Sequence, residues 1–344
     1  MRHVVGDFVA RIDILAFIEA VMRVYNQSGR RDNIYKARIK ILVNALGADE
    51  MRRQVMREFE EISASGTLDV PAEEVANIAR YFAPPAFEAS SDDVPEYEAA
   101  LASNAAFRAW TETNVSRHRA PGYAIATISL KPIGGVPGDA SHEQLDALAD
   151  LLDAYGMGEL RVSHEQNLVL PHVRKKDLPA IFTKLAALGL ATPNAGLVTD
   201  IIACPGLDYC DLANARSIPI AQRISERFAD LARQHDIGEL KIKISGCINA
   251  CGHHHAGHIG VLGVDKKGVE YYQLQLGGSG AEDASIGDIL GPAFGEHEIV
   301  DAVEHVIDVY LERRENDERF LDTVRRLGIE PFKERAYAGW AFHI

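Results

Sequence analysis

The sequence is short of cysteine, of tryptophan and of positive charge, and each shortage narrows what it can be. It has 4 Cys and 2 Trp in 344 residues, and aromatics make up 7%. Four thiols are too few to staple a secreted chain of this length, so cysteines that occur in groups point to metal binding or chemistry. The net charge of −14 has the wrong sign for a protein that neutralises nucleic-acid phosphates. No stretch approaches the roughly 18 apolar residues that a membrane-spanning helix needs. The N-terminus lacks the charged start, apolar run and cleavage site of a secretory signal, so the expected location is cytoplasmic. A globular chain remains, 47% hydrophobic and 25% charged, with length for two or three domains. Its charge is uneven: residues 1–57 carry a net of +5 and the rest −19.

Periodicity divides the chain into an α+β protein. Residues 1–83 read as mainly helical, with Ile14, Leu15, Ile18, Met22 and Tyr25 on one face and Gly47 as a C-cap. A further helix is expected after Pro71, where Glu73 and Glu74 suit a first turn. Residues 84–115 are rich in Pro, Ser and Asp at their start and read as a linker. Residues 116–195 then follow the order strand, helix, strand pair, helix, a βαββα unit of ferredoxin-like type. Residues 196–344 read as a mixed α/β domain: strands at 197–203, 240–245, 259–264 and 271–276, a helix over 217–234, and a last helix with Ile299, Val303, Ile307 and Tyr310 on one face.

All four cysteines sit in two pairs in this last domain. Cys204 and Cys210 are C-x5-C in ACPGLDYC, and Cys247 and Cys251 are C-x3-C in SGCINACG. Each pair follows a strand, and neighbouring glycines allow a loop to wrap closely around an inorganic group. A helical turn would put Cys247 and Cys251 on one face. Four such cysteines hold zinc or an iron-sulfur cluster, and C-x5-C is long for a tight zinc knuckle. Buried structural cysteines without metal are the plainer alternative. No G-x-G-x-x-G opens a helix after a strand, so no NADPH site is expected.

ACPGLDYC with LANARSIPIA behind it, and KISGCINACGHHHAGHIGVLG, closely resemble the cluster-binding half of the nitrite and sulfite reductase haemoprotein family. GRRDNIYKARIKILV, GELRVSHEQNLVLPHV, YYQLQLGGS and GIEPFKERAY are similar to further blocks of that family in the same order. The resemblance implies that Cys204, Cys210, Cys247 and Cys251 bind a 4Fe-4S cluster and that Cys251 also bridges to the iron of a siroheme. It implies a cofactor-binding role for Lys36, Arg38 and Lys40, as cations for siroheme carboxylates, and for Gln166 and Asn167 at the edge of the cofactor cavity. Asn249 either bonds the macrocycle or a cluster sulfur, or only tolerates a left-handed backbone. Arg216 serves as a further cation or as a structural one. The histidines His253, His254, His255 and His258 include an i, i+4 pair that suggests zinc. Three in a row cannot all face one ion, and proton relay or packing is the better reading.

The implied activity is six-electron reduction of sulfite to sulfide by an assimilatory sulfite reductase haemoprotein (beta) component. Nitrite reduction to ammonia is the close alternative, and a non-catalytic iron-sulfur or zinc module the distant one. The electron donor is a ferredoxin or a flavoprotein reductase, the acidic body of the chain favouring the latter. The family's proteins resemble a duplicated module, and this sequence matches the second copy plus the tail of the first. The T-x-R-Q and R-K-x-K segments that clamp the substrate anion are therefore expected to lie on an N-terminal module outside this chain. A chain without them is expected to hold a cluster but to bind siroheme weakly.

Overall fold

Apolar residues at helical spacing near the N-terminus form four helices, α1 (Ile14–Ser28), α2 (Ile39–Leu46), α3 (Ala48–Ser65) and α4 (Ala72–Tyr81). The computed structural model describes residues 4–88, 90–155 and 158–339, and these helices belong to the first of two units, residues 1–86 and 87–344. Gly47 ends α2 at φ +85, its N–H 2.9 Å from the Val43 carbonyl. Of the expected face of α1 only Tyr25 packs on the core. Ala16, Ala20 and Val24 pack with Leu42, Met51, Val55 and Ile62, while Ile14, Leu15, Ile18 and Met22 stay exposed. Small side chains let α1 and α3 approach closely, which turns the bulkier stripe outward.

The second unit begins with α5 (Pro95–Ser103) and α6 (Ala105–Asn114), where a linker was expected. Pro95 lies in the first turn of α5, a position that needs no donor N–H. The Asn104 side chain caps α6 by accepting the Phe107 N–H at 3.0 Å. Phe107 and Trp110 then enter a core with Phe182. The linker-like composition is confined to the residues before Pro95, and the unit boundary falls at Ala86 and Phe87.

Next come β1 (Val115–Arg117), β2 (Tyr123–Ile128), α7 (His142–Tyr155), β3 (Arg161–Val162), β4 (Leu168–Arg174) and α8 (Leu178–Ala187). The strands form an antiparallel sheet in the order β1-β2-β4-β3. Ala126, Ile128, Leu168 and Leu170 share a core with Leu148 and Leu151 of α7 and Ile181 and Leu185 of α8, so the ferredoxin-like βαββα unit is present.

The remainder comprises β5 (Ile202–Ala203), α9 (Ile218–Arg227), α10 (Leu231–Ile237), β6 (Ile242–Ser245), β7 (Ile259–Lys266), β8 (Val269–Leu276), β9 (Asp288–Ile289), β10 (Phe294–Gly295), α11 (Ile299–Arg313), α12 (Phe320–Leu327) and α13 (Glu330–Ala336). Its sheet runs β10-β8-β7-β6-β5, with β9 beside β8. Strands β5, β6 and β7 are parallel, and β8 is antiparallel to β7. Ile242, Ile244, Val261 and Leu274 share a core with α9 and α11. The single helix expected over 217–234 is two, because Asp230 accepts the Arg233 N–H at 2.7 Å and starts α10. Of the strand expected over 197–203, only Ile202 and Ala203 pair. Among the described residues no helix is long and apolar enough to cross a membrane.

A connector would tolerate truncation within about 0.5 kcal/mol, whereas Phe107 is buried. Phe107→Ala is expected to cost about 3–5 kcal/mol, measured by denaturant unfolding of the chain.

Candidate metal and cofactor site

Parallel pairing of β5 with β6 sends the segments after both strands out of the same edge of the sheet. The two cysteine pairs lie in those two segments. Ala203 is level with Ile244, and the Cys204 N–H extends the ladder by bonding the Ile244 carbonyl at 3.1 Å. The first loop then makes a tight turn at Gly206–Asp208 and returns the Cys210 N–H to the Gly206 carbonyl at 2.9 Å. The second loop closes Ala250 N–H onto the Cys247 carbonyl at 3.1 Å and His253 N–H onto the Ala250 carbonyl at 2.8 Å.

Backbone packs directly on backbone where the loops meet. A Cβ on Gly246 would stand 2.5 Å from the Ala215 carbonyl oxygen and 2.9 Å from the Gly206 Cα, and one on Gly206 would stand 2.5 Å from the Ser217 nitrogen. Gly206 also has φ +58, so both positions demand glycine. The Gly246 carbonyl accepts the Asn214 and Ala215 N–H groups at 2.8 and 3.0 Å. Arg216 holds this crossing from behind: its side chain pairs with Glu270 at 3.0 Å and Glu296 at 3.6 Å, and the Tyr272 hydroxyl reaches the Arg216 carbonyl at 3.0 Å. Its charge is thus met by the chain's own carboxylates, the structural one of its two readings.

The four cysteines are free thiols, Cys204 and Cys247 buried, Cys210 half-buried and Cys251 exposed. They do not follow the helical turn expected for the second pair. Ala250 adopts φ +58, which breaks the turn between Cys247 and Cys251. Among the described residues no three His, Cys, Asp or Glu side chains converge as a single metal ion requires. A 4Fe-4S cluster asks for a different arrangement, because each thiolate binds its own iron. The Cys204 sulfur lies 3.0 Å from the Gly246 N–H and 3.4 Å from the Ser217 hydroxyl. Donors aimed at a sulfur suit a thiolate ligand, and a set of four free cysteines on two adjoining loops fits the cluster. The same two loops expose Leu207, Tyr209, Leu212 and Ile248.

Gln166 and Asn167 are occupied within the protein. Gln166, at φ +57, donates its side-chain N–H to the Ala203 carbonyl at 2.8 Å and accepts the Ala203 N–H at 3.0 Å. Its amide stands in for the missing neighbour of the edge strand β5, one residue before Cys204. Asn167 is buried, accepting the Leu130 N–H at 3.1 Å and donating to Asp200 at 3.0 Å. Asp200 also meets Lys131 at 2.5 Å and the Gly196 N–H at 2.8 Å. These bonds join the two sheets of the second unit. Sequence reasoning missed Lys131 and Asp200, which carry no motif and show themselves only by being charged and buried.

Lys36, Arg38 and Lys40 lie in the first unit, exposed, at a short turn and the start of α2. Asn249 is exposed in the turn after Cys247, and the left-handed residue there is Ala250. His254 and His258 share no helical face, since residues 254–256 form a short 3-10 turn that leads into β7. Both are buried, which holds their pKa values down at about 4. The His258 Nδ1 accepts the Lys241 N–H at 3.3 Å, so the proton of the neutral ring sits on Nε2.

The nitrite and sulphite reductase 4Fe-4S domain model matches residues 1–63 and 195–342. The chain belongs to the nitrite and sulfite reductase family. A second model, the nitrite/sulfite reductase ferredoxin-like half domain, matches residues 125–188. The chloroplastic ferredoxin--nitrite reductase of Arabidopsis thaliana is 25% identical over 324 residues, 89% of this chain and 48% of that protein. Sulfite reductase (ferredoxin) 2 of Mycolicibacterium paratuberculosis is 31% identical over 209 residues, 57% of this chain and 38% of that protein. The solved Mycobacterium tuberculosis NirA protein superposes with a TM-score of 0.67 at 24% identity, over 95% of this chain and 55% of that one. The chain therefore spans about half the length, or less, of the relatives it matches.

Gln166→Ala removes both bonds to Ala203 and is expected to cost about 1–3 kcal/mol, read by denaturant unfolding of the metal-free chain. The depressed His258 pKa favours the neutral ring in the folded state. Its contribution is therefore complete above the unfolded value of about 6.5 and is lost as pH falls towards about 4. Melting temperature is expected to drop over that range, and less steeply in His258→Asn.

Proposed function

We propose that this chain is the cluster- and siroheme-binding part of a sulfite reductase haemoprotein that reduces sulfite to sulfide with six electrons. The observation that carries the reading is the pair of cysteine loops crossing at Gly206 and Gly246, in a chain of this family. Cys204, Cys210, Cys247 and Cys251 are the cluster ligands of the proposal. Cys251, exposed, would be the thiolate that also holds siroheme, and the exposed apolar side chains of the same loops, Leu207, Tyr209, Leu212 and Ile248, would offer it nonpolar contact. Lys36, Arg38 and Lys40, exposed in the first unit, and Asn249, exposed in the second, remain the further cofactor-binding residues of the proposal. When bound, siroheme holds the oxyanion and, with the cluster, supplies its electrons.

The chain's own residues contribute rigidity to this arrangement. The Gly206–Gly246 crossing and the Gln166 clamp fix the ligand loops before any metal arrives. Nitrite is the second reading, favoured by the ferredoxin--nitrite reductases whose matches cover 89% and 90% of the chain. Sulfite is preferred for CPGLDYC and LANARSIP, which resemble sulfite-type members more closely. The donor proposed is a ferredoxin, the partner named in relatives of both kinds.

Anaerobic purification from cells that make siroheme is expected to give iron and acid-labile sulfide in cluster proportion, and Cys204→Ala or Cys247→Ala is expected to lose both. Zinc, or no metal, in the unsubstituted chain would overturn the proposal. Joined to the remainder of such an enzyme and driven by reduced methyl viologen, it is expected to turn over sulfite faster than nitrite; a clear preference for nitrite would reverse the choice of substrate.

A further inference from the structure

Cys204 differs from the other three cysteines in what reaches its sulfur. Ser217 has 0% exposure and occupies the N-cap position of α9, where a serine hydroxyl ordinarily accepts an N–H from the first turn. It makes no such cap bond. Its hydroxyl lies 3.4 Å from the Cys204 sulfur instead, and among the described residues it has no other side-chain hydrogen bond. A thiolate can only accept, so with a metal-bound Cys204 the serine must be the donor. The Gly246 N–H approaches the same sulfur at 3.0 Å.

Two donors on one buried sulfur stabilise negative charge there. A 4Fe-4S cluster becomes more negative on reduction, and hydrogen bonds to its sulfurs are among the features that set its potential. The backbone donor at Gly246 is fixed by the loop crossing. The Ser217 hydroxyl is a donor that substitution can remove.

We infer that Ser217 gives up its helix cap to donate to the Cys204 sulfur and thereby raises the reduction potential of the cluster. The inference rests on the reading that the four cysteines hold a 4Fe-4S cluster. Ser217 is then a positioning and tuning residue, acting through Cys204 and touching no substrate. Its carrier is the α9 N-terminus, which also brings the Ser217 backbone against Gly206.

The test is a redox titration, monitored by electron paramagnetic resonance, of the chain reconstituted anaerobically with iron and sulfide, beside Ser217→Ala. Equal iron and sulfide contents are expected, with the variant's equilibrium constant for reduction lower by about tenfold, a fall of about 59 mV for one electron. Resonance Raman iron–thiolate bands are expected to shift in D2O in the parent and less in the variant. Equal potentials and equal shifts would overturn the inference while leaving the cluster in place. Loss of the cluster from a Ser217→Ala chain that still melts normally would make Ser217 a holding residue and also overturn it. An unsubstituted chain that takes up no cluster would remove the reading of the site and this inference together.

Discussion

The crossing of two loops at Gly206 and Gly246 is the constraint on which the rest of the second unit depends. With the Gly246 Cα and its neighbours closer to Gly206 and Ala215 than any Cβ allows, the two loops that carry the cysteine pairs meet main chain on main chain. Main-chain packing of this kind has no rotamers to lose, so the ligand loops are ordered without the entropy that long side chains would cost. Each loop also begins at the end of a strand, and β5 and β6 are parallel; an antiparallel pair would have sent the loops to opposite edges.

Much of the surrounding structure keeps that crossing in place. Arg216, Glu270, Glu296 and Tyr272 fasten the return segment on one side. On the other, Gln166 completes the hydrogen bonds of a two-residue edge strand. The buried Lys131–Asp200 pair, bonded to Asn167 and the Gly196 N–H, ties the ferredoxin-like sheet to the sheet that bears the cysteines. Breaking such a pair by removing one partner costs about 3–5 kcal/mol, so the junction is specific although the pair itself adds little net stability.

Much of this was legible in the residues. Helices α7, α8 and α11 follow from their apolar spacing, and strands β2, β7 and β8 from short apolar runs, β7 and β8 each having three consecutive buried residues; the βαββα order follows with them. Other parts were not. Residues 95–114 hide two helices because a Pro and Asp run before them resembles a linker, and the deciding facts are an Asn104 cap and the burial of Phe107 and Trp110. The helix expected over 217–234 breaks at Asp230 for a cap that periodicity does not weigh. In α1 the larger apolar stripe loses to Ala16, Ala20 and Val24, because close approach of helices selects small residues.

The sequence by itself determined the chemistry: four cysteines in two spaced pairs, flanked by glycines, in blocks that place the chain in the nitrite and sulfite reductase family. Only the tertiary structure decided what the other polar residues do. Gln166 and Asn167 look like cofactor contacts in a linear motif, yet their partners are the Ala203 backbone and the Leu130 N–H with Asp200. Ser217 stands at the N-cap of α9, yet its hydroxyl faces Cys204. The physical reason is that a ligand's identity is a property of one residue, whereas a hydrogen bond is a property of two whose meeting the chain arranges across tens of positions.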